Sequence, residues 1–300
     1  MDHMNGAMLI QLLVNGISLG SLYALIAIGY TMVYGIVRLI NFAHGDIIML
    51  AAYFVYFGYG LFKLPWLVAV IGSILLTAII GMMIEKAAYK PLRDAPRISV
   101  LISAIGVSFF LENLAIVIFG GRPQRFYTPE IFLGAFQFSE VRIPHLGIYI
   151  PVITFALLAI LLYLVNQTPT GMAMRACSRD MDTAKLMSID VNGIISLTFG
   201  LGSALAAVGG ILWSLKYPQI YPLLGMMPGL KCFIAAVVGG IGNIEGAVIG
   251  GFVLGLGEIM LVGCLPALSG YRDAFAFIIL ILILLVRPTG ILGEKITEKV

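Results

Sequence analysis

Glu112, Asn113 and Glu258 are the residues hardest to reconcile with their surroundings, because each stands inside a long apolar run. A charge at the centre of a lipid-spanning helix costs at least about 2.5 kcal/mol on insertion scales, so such residues face a bundle interior or water. They line a pathway or relay a proton, or they form a buried hydrogen-bonded set that fixes helix packing. A second group consists of interruptions. Asn41, Phe42, Ala43, His44, Gly45 and Asp46 break the chain after its first apolar run, and residues 239–246, with Gly239, Gly240, Gly242, Asn243 and Gly246, break a later one. One break falls in each half, which points to inverted repeats around a central path. Helix N-termini at such breaks can offer amides to a carboxylate; ordinary interfacial turns are the alternative. The pathway candidates are therefore Asn41, His44, Gly45, Asp46, Glu112, Asn113, Gly240, Gly242, Asn243 and Glu258.

A third segment, residues 170–190, mixes Met, Ala and Leu with charges at helical spacing. Ser178 or Asp180 can cap a short helix running to Met187. Its charges keep it out of lipid, so its apolar side chains suit a protein groove or the face of a surface amphipathic helix. Small residues recur four apart: Gly16 and Gly20; Gly202, Ala206 and Gly210; Gly246 and Gly250; Gly251 and Gly255. In lipid such spacing lets helix backbones approach closely.

Several chemistries have no residues to carry them. No Lys follows a Gly, as a phosphate-cradling P-loop would require. His3, His44 and His145 have no second ligand at metal spacing. Cys177, Cys232 and Cys264 are far apart and odd in number, which suits small packed side chains better than a disulfide framework. No catalytic triad is suggested, and the expectation is a chain that is not an enzyme and binds no cofactor.

The elements that must position these residues follow from composition. The 300 residues are 60% hydrophobic and 11% charged, with mean hydropathy +1.04, whereas a soluble domain carries roughly 25% charged residues. Lipid must cover much of such a surface. The net charge of +3 is small and its basic residues sit in short loop clusters, which excludes a nucleic-acid footprint. With about 20 apolar residues needed per crossing, spans are expected at 8–37, 46–62, 66–89, 98–119, 148–165, 194–215, 231–264 and 273–286. The expectation is an all-α polytopic bundle forming a single membrane domain over 1–300, with eight crossings, or nine if 231–264 crosses twice. Residues 1–6 lack the Lys or Arg of a signal-peptide n-region, so the first run is expected to be retained. Lys86, Lys90, Arg93 and Arg97 in one loop, and Arg175, Arg179 and Lys185 in another, put both loops in the cytoplasm and the N-terminus outside. The tail carrying Lys295 and Lys299 lies inside if the crossings are odd in number.

The blocks Asn15-Gly16, Leu19-Gly20-Ser21, Tyr23-Ala24-Leu25, Gly29 and Ile40 to Gly45 resemble the opening of branched-chain amino acid ABC-transporter permeases. Arg175-Ala176 with Ala184 and Ile189, the run Phe233 to Gly251, and Arg287 to Gly293 match the same family, and the LivH-type subunit most closely. The resemblance implies uptake of leucine, isoleucine and valine into the cytoplasm across a bacterial inner membrane. It implies as partners a second permease subunit, two ATP-binding cassette subunits that hold ATP and Mg, and a periplasmic binding protein. It makes the loop of about 167–193 the coupling element, with Arg175, Ala176, Asp182, Ala184, Leu186, Met187 and Ile189 toward the ATPase. Ser188 departs from the family, which usually has Gly there. Relatives carrying urea, amides or other amino acids, and an ion-coupled carrier using Glu112 or Glu258, stand as alternatives.

Overall fold

The computed structural model describes residues 6–293 apart from 94, 139 and 140. Glu140, Lys295 and Lys299, and the side chain of Arg97, therefore lie outside the described residues. Among those described, eleven α-helices follow in order: α1 (Gly6–Val37), α2 (His44–Val55), α3 (Trp66–Ile84), α4 (Arg97–Phe119), α5 (His145–Gln167), α6 (Pro169–Arg179), α7 (Met181–Leu186), α8 (Val191–Lys216), α9 (Met226–Gly239), α10 (Ile244–Cys264) and α11 (Arg272–Val286). The chain is not helical throughout. β1 (Gln124–Arg125) pairs antiparallel with β4 (Gln219–Ile220), and β2 (Ala135–Phe138) pairs with β3 (Val141–Pro144). The physical reason is that these segments are too polar and too broken by Pro and Gly to span, so their backbone groups pair locally.

Among the described residues, seven helices are long and apolar enough to cross a membrane: Gly6–Val37, Trp66–Leu92, Ile98–Phe119, His145–Gln167, Val191–Lys216, Ile244–Cys264 and Pro266–Val286. They coincide with seven of the expected spans. The remaining expectation, residues 46–62, is α2 continued by π-helical turns at Tyr56–Leu61. The long run 231–264 divides into α9, too short to span, and α10, which is long enough.

Burial separates these helices sharply. In α1 and α8, 72% of the apolar window is buried, against 17% for α4 and α5. Thus α1 and α8 form the centre, while α3, α4, α5 and α11 turn most of their apolar side chains outward. Because lipid is as apolar as leucine, close backbone contact decides which helices go inside. The central helices are those with small residues on several faces. A Cβ on Gly255 of α10 would stand 2.3 Å from Gly20 Cα of α1, so neither helix could approach with a side chain there. Gly202 of α8 meets the Gly29 carbonyl of α1, and Gly210 meets the Ile48 carbonyl of α2.

The two ends of the bundle differ. At one end lie the C-terminus of α1, the segment α6–α7, the α9–α10 turn and the chain's last described residues. Arg38 Nη2 donates to the Ser178 carbonyl at 3.4 Å, and Arg93 Nη1 donates to Asn192 Oδ1 at 2.6 Å. The basic loop before α4 and the charged segment before α8 therefore share a face, as positive-inside counting requires. The small sheets occupy the other end.

Candidate functional site

The first break turns back into the bundle. Arg38 adopts φ 56°, and six residues later the His44 ring lies 4.2 Å from that of Tyr30. His44 Nε2 is 3.3 Å from the Ile26 carbonyl. Since α1 continues to Val37, α2 starts about two to three turns inside it. Asn41 is buried and its Oδ1 accepts from the Tyr89 hydroxyl at 2.9 Å. Gly45 packs on Gly225 and Gly229, at the start of α9; a Cβ on Gly229 would stand 2.7 Å from Gly45 Cα. Two helix N-termini thus meet inside the bundle, and their axes lead away from each other.

Asp46, in the first turn of α2, is buried and its Oδ2 accepts from Ser108 Oγ of α4 at 2.6 Å. Glu112 stands one turn further along α4, half-buried and near enough to act on the Asp46 charge. These two carboxylates are brought together. Asn113 is not: it is exposed on the outer side of α4, and its amide donates to the Phe109 carbonyl at 2.7 Å.

The second break lies at the α6–α7 end, away from Asn41 and His44. Gly240 (φ 114°) and Gly242 (φ 99°) take conformations that side chains resist. Gly242 itself has room, since a Cβ there would stand 3.8 Å from Gly35 Cα, whereas Gly240 is pressed against Gly293. Asn243 Oδ1 caps α10 by accepting from the Gly246 amide at 3.0 Å, and its Nδ2 donates to the Leu292 carbonyl at 3.1 Å. Ile291 and Leu292 amides donate to the Val238 and Gly239 carbonyls at 2.9 and 2.8 Å, so the chain's last described turn closes the end of α9.

Glu258 is fully buried and held by three helices. Its carboxylate pairs with Lys231 Nζ of α9 at 2.9 Å and with Arg272 Nε of α11 at 2.7 Å, and it accepts from the Tyr23 hydroxyl of α1 at 3.1 Å. Lys231 also reaches Asp273 at 2.6 Å. This arrangement fits the packing alternative, with charge neutralised where it is buried. Lys231 and Arg272 are not legible as partners of Glu258 in the sequence, because Lys231 opens the expected span 231–264 and Arg272 stands just before 273–286. The available signal was Glu258 itself, since an acid at membrane depth needs a base.

The expected short helix ending at Met187 is α7, capped by Asp180, and a further helix, α6, precedes it. Thr168 Oγ1 caps α6 by accepting from the Gly171 amide at 3.1 Å. Asp180 caps α7, its Oδ1 accepting from the Asp182 and Thr183 amides at 3.0 and 3.1 Å. Arg175 donates to the Val165 carbonyl, and Asp182 pairs with Lys185 at 3.2 Å on the surface. Ala184 is 3% exposed and packs into the chain, with Ala176 and Ile189 half-buried. Leu186 and Met187 are 85% and 73% exposed, apolar side chains held away from their own protein. Ser188 has φ 61°, the left-handed conformation that explains why Gly suits this place. Cys177 is on the buried face of α6, and burial raises its thiol pKa.

The described residues thus form a multi-pass membrane bundle with re-entrant breaks, buried helix N-termini and a charged segment presenting bare apolar side chains at one end. The family described as "Branched-chain amino acid transport system / permease component" matches residues 12–284, and the chain belongs to it. The high-affinity branched-chain amino acid transport system permease protein BraD of Pseudomonas aeruginosa is 43% identical, over 97% of this chain and 98% of its own. LivH of Escherichia coli K12, named for the same kind of system, is 41% identical over 97% of each chain. A probable branched-chain amino acid transport permease of Methanocaldococcus jannaschii is 28% identical over 94% of this chain and 92% of its own.

Proposed function

We propose that this chain is the membrane-embedded permease subunit of an ATP-driven importer of leucine, isoleucine and valine. The observation that carries the proposal is end-to-end similarity at 41–43% identity to permeases named for high-affinity branched-chain amino acid transport. The chain sits in a bacterial inner membrane as a single domain. It pairs with a second permease subunit, two ATP-binding cassette subunits that hold ATP and Mg, and a periplasmic binding protein. It binds no cofactor itself.

The crossings number nine: the seven long helices, α2 with its π-helical extension, and α9 completed by the segment before it. The N-terminus is then outside, and α6–α7 and the C-terminal segment are cytoplasmic. The N-termini of α2 and α9 meet at Gly45 and Gly229 and their axes diverge, which supports two inverted repeats joined at mid-depth. His44, Gly45, Asp46 and Glu112 border the path there, and Asn41 holds the re-entrant loop. Gly240, Gly242 and Asn243 form the hinge on the cytoplasmic side, and Glu258 fixes the bundle. Leu186 and Met187 enter the ATPase groove, with Arg175, Asp182 and Lys185 at its rim. Ala176, Ala184 and Ile189 support them from beneath.

An ion-coupled carrier finds its one supporting observation in the Asp46–Glu112 pair; Glu258 is already neutralised by bases. Purification in mild detergent decides between them. The expected result is co-purification with two ATPase chains and a second permease. A chain that purifies alone and accumulates leucine on a proton gradient overturns the proposal.

A further inference from the structure

Lys216 is the cation left over when the charges around Glu258 are paired. Three cations, Lys216, Lys231 and Arg272, stand there against two carboxylates, Glu258 and Asp273. Lys231 and Arg272 are paired by those acids. Lys216 Nζ instead donates to Ser18 Oγ at 2.9 Å, and no carboxylate pairs with it among the described residues. Arg272 is close enough to act on its charge. Like charges in a partly desolvated site repel, and one hydroxyl dipole offsets only part of that. Both side chains are half-buried rather than sealed.

The approach to Lys216 is marked on α1. Between Gly6 and Ser18 the side chains are apolar except for Gln11, Asn15 and Ser18. These stand at i, i+4 and i+7, on one face of the helix. Gln11 Nε2 donates to Asn15 Oδ1 at 3.4 Å, and Gln11 Oε1 accepts from the Arg142 amide of the β2–β3 hairpin at 3.0 Å. A polar stripe therefore runs from the hairpin end of the molecule down to the unpaired ammonium. Lipid gives no reason for such a stripe.

We propose that Lys216, with Arg272 beside it and Gln11 and Asn15 leading to it, receives the carboxylate of the amino acid entering from the hairpin end. The proposal rests on the proposed function for the identity of the solute. One excess positive charge matches one carboxylate, and the contact would hold the solute above the Gly45–Gly229 junction. A lipid phosphate shares this chemistry, so the test varies lipid as well as residue.

The test uses the assembled complex in vesicles of phosphatidylcholine with and without phosphatidylglycerol, with binding protein and leucine outside and ATP inside. Lys216→Met should lower leucine uptake about tenfold in both vesicle types, a loss equivalent to about 1.4 kcal/mol. Lys216→Arg should restore uptake to within about threefold, and basal ATP hydrolysis should stay at the wild-type rate in both variants. If Lys216→Met does not assemble, Asn15→Leu takes its place with a smaller loss. Wild-type uptake by Lys216→Met in both vesicle types overturns the proposal. So does a variant that loses only a response to phosphatidylglycerol, which would assign the site to lipid. A wild-type complex without ATP-driven leucine uptake overturns the proposed function instead, and with it the solute assigned to this site.

Discussion

The ionisable clusters around Glu258 and Asp46 are built in opposite ways. At Glu258, acids and bases from three helices alternate at 2.6–2.9 Å and the central carboxylate is fully buried. At Asp46, a buried carboxylate accepts from the Ser108 hydroxyl at 2.6 Å and from its own backbone amide, with a second acid, Glu112, nearby and no base in the cluster among the described residues. The first cluster is what a fold does with charge it must bury. The second leaves charge uncompensated beside a junction of helix N-termini, where the backbone supplies positive potential. The Glu258 pairs are balanced and serve packing, whereas the unpaired charges, at Asp46 and at Lys216 beside the Glu258 cluster, are those we propose a solute or a conformational change completes.

The largest expected effect comes from breaking the balanced cluster. Glu258→Leu strands Arg272 and leaves Lys231 only Asp273, and should destabilise the protein by about 3–5 kcal/mol, seen as loss of folded protein in detergent. Adding Arg272→Met should recover part of that loss; a double variant no better than the single one would contradict the pairing. Next is the coupling end. Leu186→Asp replaces an exposed apolar side chain, so stability should change by less than about 0.5 kcal/mol. ATPase subunits should nevertheless be lost on pull-down, because interface energy concentrates in such apolar anchors. Retained ATPase with substrate-stimulated hydrolysis would remove Leu186 from the interface.

The unbalanced cluster should respond the other way from Glu258. Asp46→Asn keeps the hydrogen bond with Ser108 and removes one of two neighbouring acids, so folded protein should be unchanged while uptake falls about tenfold, or about 1.4 kcal/mol. Loss of folded protein in proportion to transport would make Asp46 another packing residue. The smallest effect is at Ser188. Its φ of 61° burdens a residue with a Cβ, so Ser188→Gly should stabilise the segment by about 1 kcal/mol. Slower amide exchange around residues 184–189 would report it, and faster exchange would contradict it.

Much of this was legible in the residues. Span positions followed from apolar runs that only lipid can cover, and close helix packing at Gly16, Gly20, Gly251 and Gly255 was legible from their spacing, although only the fold makes α1 and α10 the partners. The Asp180 cap was legible because a carboxylate before Asp182 and Thr183 satisfies amides that a helix start leaves open. The partners of Glu258 were not, because Lys231 and Arg272 lie 27 and 14 positions away and only the fold sets their depth. Ala184 could not be distinguished from Leu186 by sequence, since both are apolar at helical spacing and only packing against α8 decides which one is covered. The meeting of Gly45 with Gly225 and Gly229 was hidden for the same reason: residues 217–225 carry no periodic signal that places the start of α9.

The central claim is that this chain transports only as part of an ATP-driven assembly. The direct measurement is leucine accumulation in vesicles, comparing the chain alone under an imposed proton gradient with the chain plus permease partner, ATPase subunits, binding protein and ATP. Accumulation is expected only in the complete assembly, and it should stop when ATP hydrolysis is blocked. Concentrative uptake by the chain alone on the proton gradient would contradict the account.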